Sequence, residues 1–264
     1  MNIIVLVKPV PDPKAPVRLK PDGTIDREKV PLTVNLYDKH AVEAAVRIKE
    51  KYGGKVIAIS MAPPHAIEVL REALAMGVDD AILLSDKRLA GSDTLATSYA
   101  LSQAIRKIGD FDLILCGMES TDGNTGHVGP EVAEFLGIPH VTYVERIEIR
   151  DRHVIVKRLV EGGYEILKVK LPALLTITNT ANEPRIPTIR DVLKARRKTI
   201  IVWNVDDIGV DPNKVGLRGS PTRILKIEKV ILKRKGKIFT EPDVDKVIES
   251  FLAELKKDGV SLVR

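Results

Sequence analysis

Asp112-Leu113-Ile114-Leu115-Cys116-Gly117-Met118-Glu119-Ser120-Thr121-Asp122-Gly123-Asn124-Thr125-Gly126-His127-Val128-Gly129-Pro130 decides the fold class. Its first five residues form an apolar run without period-2 alternation, the pattern of a strand buried on both faces. Residues 131–136 read as a helix, and the residues between are small or hydroxyl-bearing. The same alternation extends back to the N-terminus. Residues 3–7, 55–60 and 81–84 are further buried-strand runs, and residues 38–52, 65–76 and 93–108 carry helical periodicity. In the first helix Ala41, Ala44, Ala45 and Ile48 share a face, and Glu43 precedes Arg47 by four. In the second Ile67, Leu70 and Leu74 do so, with Gly77 as a C-cap. The third starts at a capping Asp or Ser and stops at Gly109. Strand and helix in alternation predict an α/β fold: an open, mostly parallel sheet with helices on both faces.

The rhythm changes after Gly137. Residues 153–159 and 165–169 read as antiparallel strands joined through Glu161-Gly162-Gly163, and 171–178 as one more buried strand. Residues 182–189 read as a loop, 192–198 as a helix and 200–236 as coil. Residues 242–257 read as an amphipathic helix, with Val244, Val247, Ile248, Phe251, Leu252 and Leu255 on one stripe. The expected division is 1–200 for an α/β nucleotide-binding domain with an antiparallel extension, and 201–264 for an extended arm.

Composition narrows the function. The 264 residues are 44% apolar and 30% charged, which suits a folded, soluble chain. No run is long and apolar enough to span a membrane, and the N-terminus carries no signal-peptide pattern. The single Cys116 excludes a disulfide scaffold and multi-Cys metal sites, so the expected address is cytoplasmic. A net charge of +6 raises the question of nucleic acid. Only 4% of residues are aromatic and 36 acids face 42 bases, which argues against it. Gln103 is the sole glutamine among abundant Lys, Arg and Glu, a bias resembling heat-adapted proteins.

No phosphate-binding GKS/T loop, hydrolase elbow or metal-ligand His spacing is present, so no catalytic or metal residues are expected. The loop at 117–130 is the exception. Small residues let a backbone approach a ligand, and the following helix N-terminus offers free N–H groups to a phosphate. Such a loop sits where open α/β sheets bind ligands. An ordinary Gly-rich turn explains the same residues. Lys8-Pro9-Val10-Pro11-Asp12-Pro13 is a stiff exit from the first strand, and Asn35 or Asp38 is placed to cap the first helix; either both stretches are turn and capping residues only, or they line the same ligand crevice.

Three segments resemble the beta subunit of electron-transfer flavoprotein. Asn35-Leu36-Tyr37-Asp38, ahead of Ala41-Val42-Glu43-Ala44-Ala45, is similar to the family's N-P-[FY]-[DC] segment. Val156-Lys157-Arg158-Leu159-Val160-Glu161-Gly162-Gly163-Tyr164-Glu165-Ile166-Leu167, then Pro172-Ala173-Leu174-Leu175-Thr176, is similar to its signature. Asn182-Glu183-Pro184-Arg185 with Pro187-Thr188 resembles its recognition loop.

The resemblance implies a Rossmann-like fold and a heterodimer with an alpha subunit. It implies an FAD shared with that subunit, and electron transfer to dehydrogenase or quinone-reductase partners. The chain then needs no catalytic residue of its own, because a flavin carries the redox chemistry. It also implies a nucleotide site in this chain, touching Leu6, Lys8, Asn35, Leu36, Tyr37, Asp38, Met61, Asp122, Gly123, Asn124, Thr125, Gly126, His127, Val128, Gly129 and Pro130. That site holds AMP in the ordinary class. In the bifurcating class it holds a second FAD, with NADH as electron donor. The loop 122–130 is similar to the D-G-[DN]-T-[AG]-x-V-G-P form of bifurcating and nitrogen-fixation-type relatives, and Gly216-Leu217-Arg218-Gly219-Ser220-Pro221-Thr222 looks like the same type. FAD is therefore expected over AMP; a nucleotide-binding sensor without redox function is the remaining alternative. Pro187, Thr188, Ile189 and Arg190 match the position where relatives anchor on a dehydrogenase. The stripe on 242–257 is expected to lie on the alpha subunit.

Overall fold

Alternate residues of the central strands enter opposite cores. Ile3 and Val5 pack on one side of the sheet, Ile4 and Leu6 on the other; Leu113 and Leu115 oppose Ile114 and Cys116 in the same way. This is why these runs lack alternation: both faces are covered. The computed structural model describes residues 1–15, 31–223, 236–240 and 242–260. Contacts divide the chain into two units, Met1–Ile224 and Leu225–Arg264.

The first unit carries strands β1 (Asn2–Leu6), β2 (Pro9–Pro11), β3 (Leu32–Val34), β4 (Lys55–Met61), β5 (Asp80–Leu84) and β6 (Leu113–Gly117). It continues with β7 (His140–Arg150), β8 (His153–Val160), β9 (Gly163–Lys170), β10 (Ala173–Ile177) and β11 (Ile201–Trp203). Its helices are α1 (Leu36–Tyr52), α2 (Ile67–Ala75), α3 (Thr94–Ile108), α4 (Val128–Leu136), α5 (Ile189–Arg197) and the single turn α6 (Gly216–Gly219). The nine-stranded sheet has the order β11-β5-β4-β1-β6-β10-β7-β8-β9. It is parallel from β11 to β7 and antiparallel through β8 and β9. One core lies under α1 and α2, the other under α3 and α4. The expected open, mostly parallel α/β sheet with an antiparallel extension is the architecture observed.

Three stretches depart from the sequence reading here. β7 was not expected. Its second half, Val144-Glu145-Arg146-Ile147-Glu148-Ile149-Arg150, does alternate, but the pairing slips between Leu175 and Ile177 of β10, and Tyr143 sits there at φ 57°. The irregularity interrupts the period-2 signal. β2 and β3 pair antiparallel although β2 begins and ends in proline, which propensity reads as turn. The expected coil from 200 contains β11, an edge strand parallel to β5, and α6; residues 224–235 of that stretch lie outside the described residues.

α5 begins earlier than periodicity indicates. Thr188 caps it, accepting from the Asp191 N–H while the Asp191 carboxylate accepts from the Thr188 N–H. That reciprocal pair sets the start at Ile189. In the second unit, α7 (Val244–Lys257) has no buried residue, and Val244, Ile248, Phe251 and Leu252 are exposed. Asp243 caps it, the Lys237 ammonium pairs with Glu254 at 2.7 Å, and the rings of Phe239 and Phe251 meet edge to face.

Candidate nucleotide site

The chain lays β1, β4 and β5 outward in one direction, then crosses back to place β6 on the other side of β1. The order reverses between β1 and β6. At such a switch point the two connections leave in opposite directions and open a crevice at the carboxyl ends of the strands. Lys8 follows β1 into that crevice and Gly117 ends β6 there.

A buried carboxylate bridges the two strand ends. The Lys8 N–H donates to Asp38 Oδ2 at 2.7 Å, and the Gly117 N–H donates to Asp38 Oδ1 at 2.9 Å. Burial pushes the Asp38 carboxyl up to about 6, against the opposing pull of these two N–H bonds, Asn35 and the Lys8 charge. Gly117 is required at this contact. A Cβ there would meet Asp38 Oδ1 at 2.6 Å and the Tyr37 carbonyl carbon at 2.7 Å.

Asn35 makes the second tie. Its Nδ2 donates to the Glu119 carbonyl at 2.8 Å, and its Oδ1 accepts from the Thr121 N–H at 3.1 Å. Neither Asn35 nor Asp38 caps α1 through its side chain, contrary to the capping alternative of the sequence reading. Both side chains are buried and fasten the 117–121 backbone instead.

Lys8 closes the mouth of the loop. Its ammonium donates to Asp122 Oδ1 at 2.7 Å and to Ser120 Oγ at 3.1 Å. Burial raises the Asp122 carboxyl, but the bonds from Lys8 and Ser120 outweigh it and hold it below the usual range. Beyond Asp122 the loop turns through Asn124 at φ 49° and Gly126 at φ 65°. It enters α4 with no side-chain cap from His127, and Pro130 has no N–H to offer. The Val128 and Gly129 N–H groups therefore face the loop as helix-terminal donors. Glu131 turns aside, accepting from Thr94 Oγ1 at 3.1 Å and Ser98 Oγ at 2.9 Å. Gly129 packs where a Cβ would lie 2.8 Å from Thr176 Cγ2, so α4 sits tight on β10.

The structure thus brings Lys8, Asn35, Asp38 and Asp122 into one bonded group. Leu6 and Met61 pack into the core under α3 and α4, at the same strand ends. Leu36 is half exposed; Gly123, Asn124, Thr125 and His127 are exposed. Glu119 and Ser120 belong to the group and were not foreseen, because their partners lie more than 80 residues away in sequence. Cys116 is a core residue: burial first, and the Asp38 charge second, push its thiol up.

A second feature lies away from the crevice. Ile186 and Ile189 are 92% and 82% exposed. Leu193, one turn after Ile189 on α5, is half exposed. Pro187 and Thr188 precede α5, whereas Ile189 and Arg190 are its first residues.

Residues 22–208 match the model of the electron transfer flavoprotein domain. The electron transfer flavoprotein subunit beta of Thermoanaerobacterium thermosaccharolyticum is 49% identical over 242 residues, 91% of this chain and 92% of that one. The caffeyl-CoA reductase-Etf complex subunit CarD of Acetobacterium woodii is 43% identical over 98% of this chain and 100% of its own length. Protein FixA of Azorhizobium caulinodans is 43% identical over 86% and 84%. A mostly parallel α/β sheet whose strand order reverses between β1 and β6 places the chain in the class of open-sheet proteins with a crevice at the switch point. The chain belongs to the electron transfer flavoprotein family, on its beta-subunit branch.

Proposed function

We propose that this chain pairs with an alpha subunit, shares an FAD with it, and holds a second FAD in its own switch-point crevice, with NADH as donor for electron bifurcation. The observation that carries the nucleotide site is the bonded group at the crevice. Lys8 stands at the mouth, the α4 N-terminus is uncapped, and the intervening loop is small-residue backbone. These features fit a pyrophosphate: an ammonium, two helix-terminal N–H donors and a turn without bulky side chains. When bound, a flavin supplies hydride acceptance and one-electron delivery. The chain's own residues do the rest. Lys8 exchanges Asp122 for phosphate, Val128 and Gly129 donate to it, and Asp38 fixes the distance between the two strand ends. The form of the loop 122–130 supports FAD over AMP.

The exposed stripe on α7 supports an arm that lies on the alpha subunit, since soluble chains rarely leave a contiguous apolar stripe bare. No helix of the described residues is long and apolar enough to cross a membrane. Mixing the anaerobic purified complex with NADH alone tests the donor. Bleaching of the flavin absorbance within seconds supports the reading, and unchanged absorbance rejects NADH as donor.

We also propose that Ile186 and Ile189 dock on a dehydrogenase or quinone-reductase partner. Burying an aliphatic side chain contributes about 1.5–3 kcal/mol, which is roughly ten- to hundredfold in affinity. Ile189→Ala is expected to raise the KM for that partner by such a factor. The melting temperature should stay within a degree or so, because the side chain is already exposed. A melting temperature several degrees lower with KM unchanged would assign Ile189 to the fold and not to docking.

A further inference from the structure

The segment before α5 has no secondary structure, yet it is fastened at nearly every turn. Asn182 exchanges bonds with His40: its Nδ2 donates to the His40 carbonyl, and its own carbonyl lies 2.9 Å from His40 Nδ1. Arg47 donates to the Glu183 carbonyl at 3.1 Å. The densest contact is at Arg185. Its Nε and backbone N–H donate to Glu43 Oε2 at 2.8 and 3.1 Å. Its Nη1 and Nη2 donate to the two oxygens of Glu50 at 2.6 and 3.0 Å. Glu43 and Glu50 are seven residues apart on α1, two turns, so both carboxylates face the same guanidinium. Arg47 donates to Glu43 as well, at 2.5 Å.

Glu43 is 2% exposed. A buried carboxylate needs its lone pairs filled, and here four donors fill them, three from Arg185 and one from Arg47. The fork geometry of arginine matters: only a planar guanidinium reaches both glutamates at once. Around this immobilised stretch, Ile186 and Ile189 stand in solvent. A loop required only to connect β10 to α5 has no use for exposed isoleucines beside a buried ion-pair cluster. A loop that must meet a partner in one pose has use for both, because ordering it in advance removes the entropy loss on docking.

We infer that Glu43 and Glu50 are positioning residues, whose clamp on Arg185 holds residues 182–188, and with them Ile186 and Ile189, in the docking pose. This rests on the docking reading above. The test uses the full-length chain with its alpha subunit and three variants: Arg185→Met, Glu50→Gln and Arg185→Lys. Amide hydrogen exchange at 182–189 should quicken at least tenfold in Arg185→Met, with α1 and the sheet within about twofold of wild type. Glu50→Gln, which alters only the exposed end of the clamp, should quicken it about threefold. Arg185→Lys should lie between wild type and Arg185→Met. With the partner dehydrogenase, Arg185→Met should raise KM at least tenfold and leave kcat unchanged. Unchanged exchange at 182–189, or exchange quickened equally throughout the unit, overturns the inference. So does an unchanged KM for Arg185→Met where Ile189→Ala raises it. If Ile189→Ala leaves KM unchanged, the docking reading itself fails, and the exchange data alone decide whether the clamp positions the loop.

Discussion

On the proposed reading, Gly126→Val is expected to lower the nucleotide content of the crevice at least tenfold while the flavin shared with the alpha subunit stays bound. Gly126 holds φ 65°, in the left-handed region that a β-branched residue avoids. An added Cβ would also lie 3.3 Å from the Met118 carbonyl, so the turn has little slack. The chain must leave that conformation, and the Val128 and Gly129 N–H groups move away from Lys8. In the proposed site those donors and the Lys8 ammonium act on one anion, so losing their alignment is expected to remove most of the binding. Gly126→Ala should show the same direction with a smaller loss. The measurement is the ratio of each released nucleotide to protein after denaturation. An unchanged ratio in Gly126→Val would make the loop a plain turn.

Asp38→Ala lowers stability by about 2–4 kcal/mol, because two N–H groups that Asp38 satisfies lose their acceptor at roughly 1–3 kcal/mol each, partly offset by no longer burying a charge. For a chain of this size that is a melting temperature roughly 5–10 °C lower. The pH dependence carries its own sign. Burial lets the folded carboxyl keep its proton up to about pH 6, against an ordinary value of 3.8. Between those values the folded state holds more protons than the unfolded chain, so this group's contribution falls as pH rises from about 4 to about 6. Asp38→Asn cannot ionise. The stability gap between wild type and Asp38→Asn should therefore be larger near pH 4.5 than near pH 7. A gap that widens with rising pH would mean that Asp38 is ionised throughout and favoured by its two N–H donors over burial.

The sheet was legible because its chemistry is local. Runs such as Ile3–Val7 cover two cores at once, and that shows as unbroken apolarity. β7 was hidden by a bulge, and β11 by its three-residue length. Within the crevice, the place of the loop 117–130 between β6 and α4 was legible because its small residues run in sequence order between an apolar run and a helical one. The Asp38 bridge was not. Its partners are backbone N–H groups 30 and 79 residues away, and every residue type has one. The same holds for Arg185. The Glu43–Arg47 spacing was visible as a helical pair, but the dominant partner of Glu43 comes from 142 residues further on. The start of α5 was recoverable: Thr188 with Asp191 three residues later is a capping pattern that periodicity alone overlooks.

The central claim is that the crevice between β1 and β6 holds an FAD of its own. Denaturing the purified two-subunit complex and separating the released nucleotides by chromatography tests it most directly. The account predicts two FAD for each complex and no AMP, with one of the two FAD lost in Gly126→Val. One FAD and one AMP would contradict the claim and make the crevice a structural AMP site. A complex that releases no flavin at all would contradict the redox reading as well.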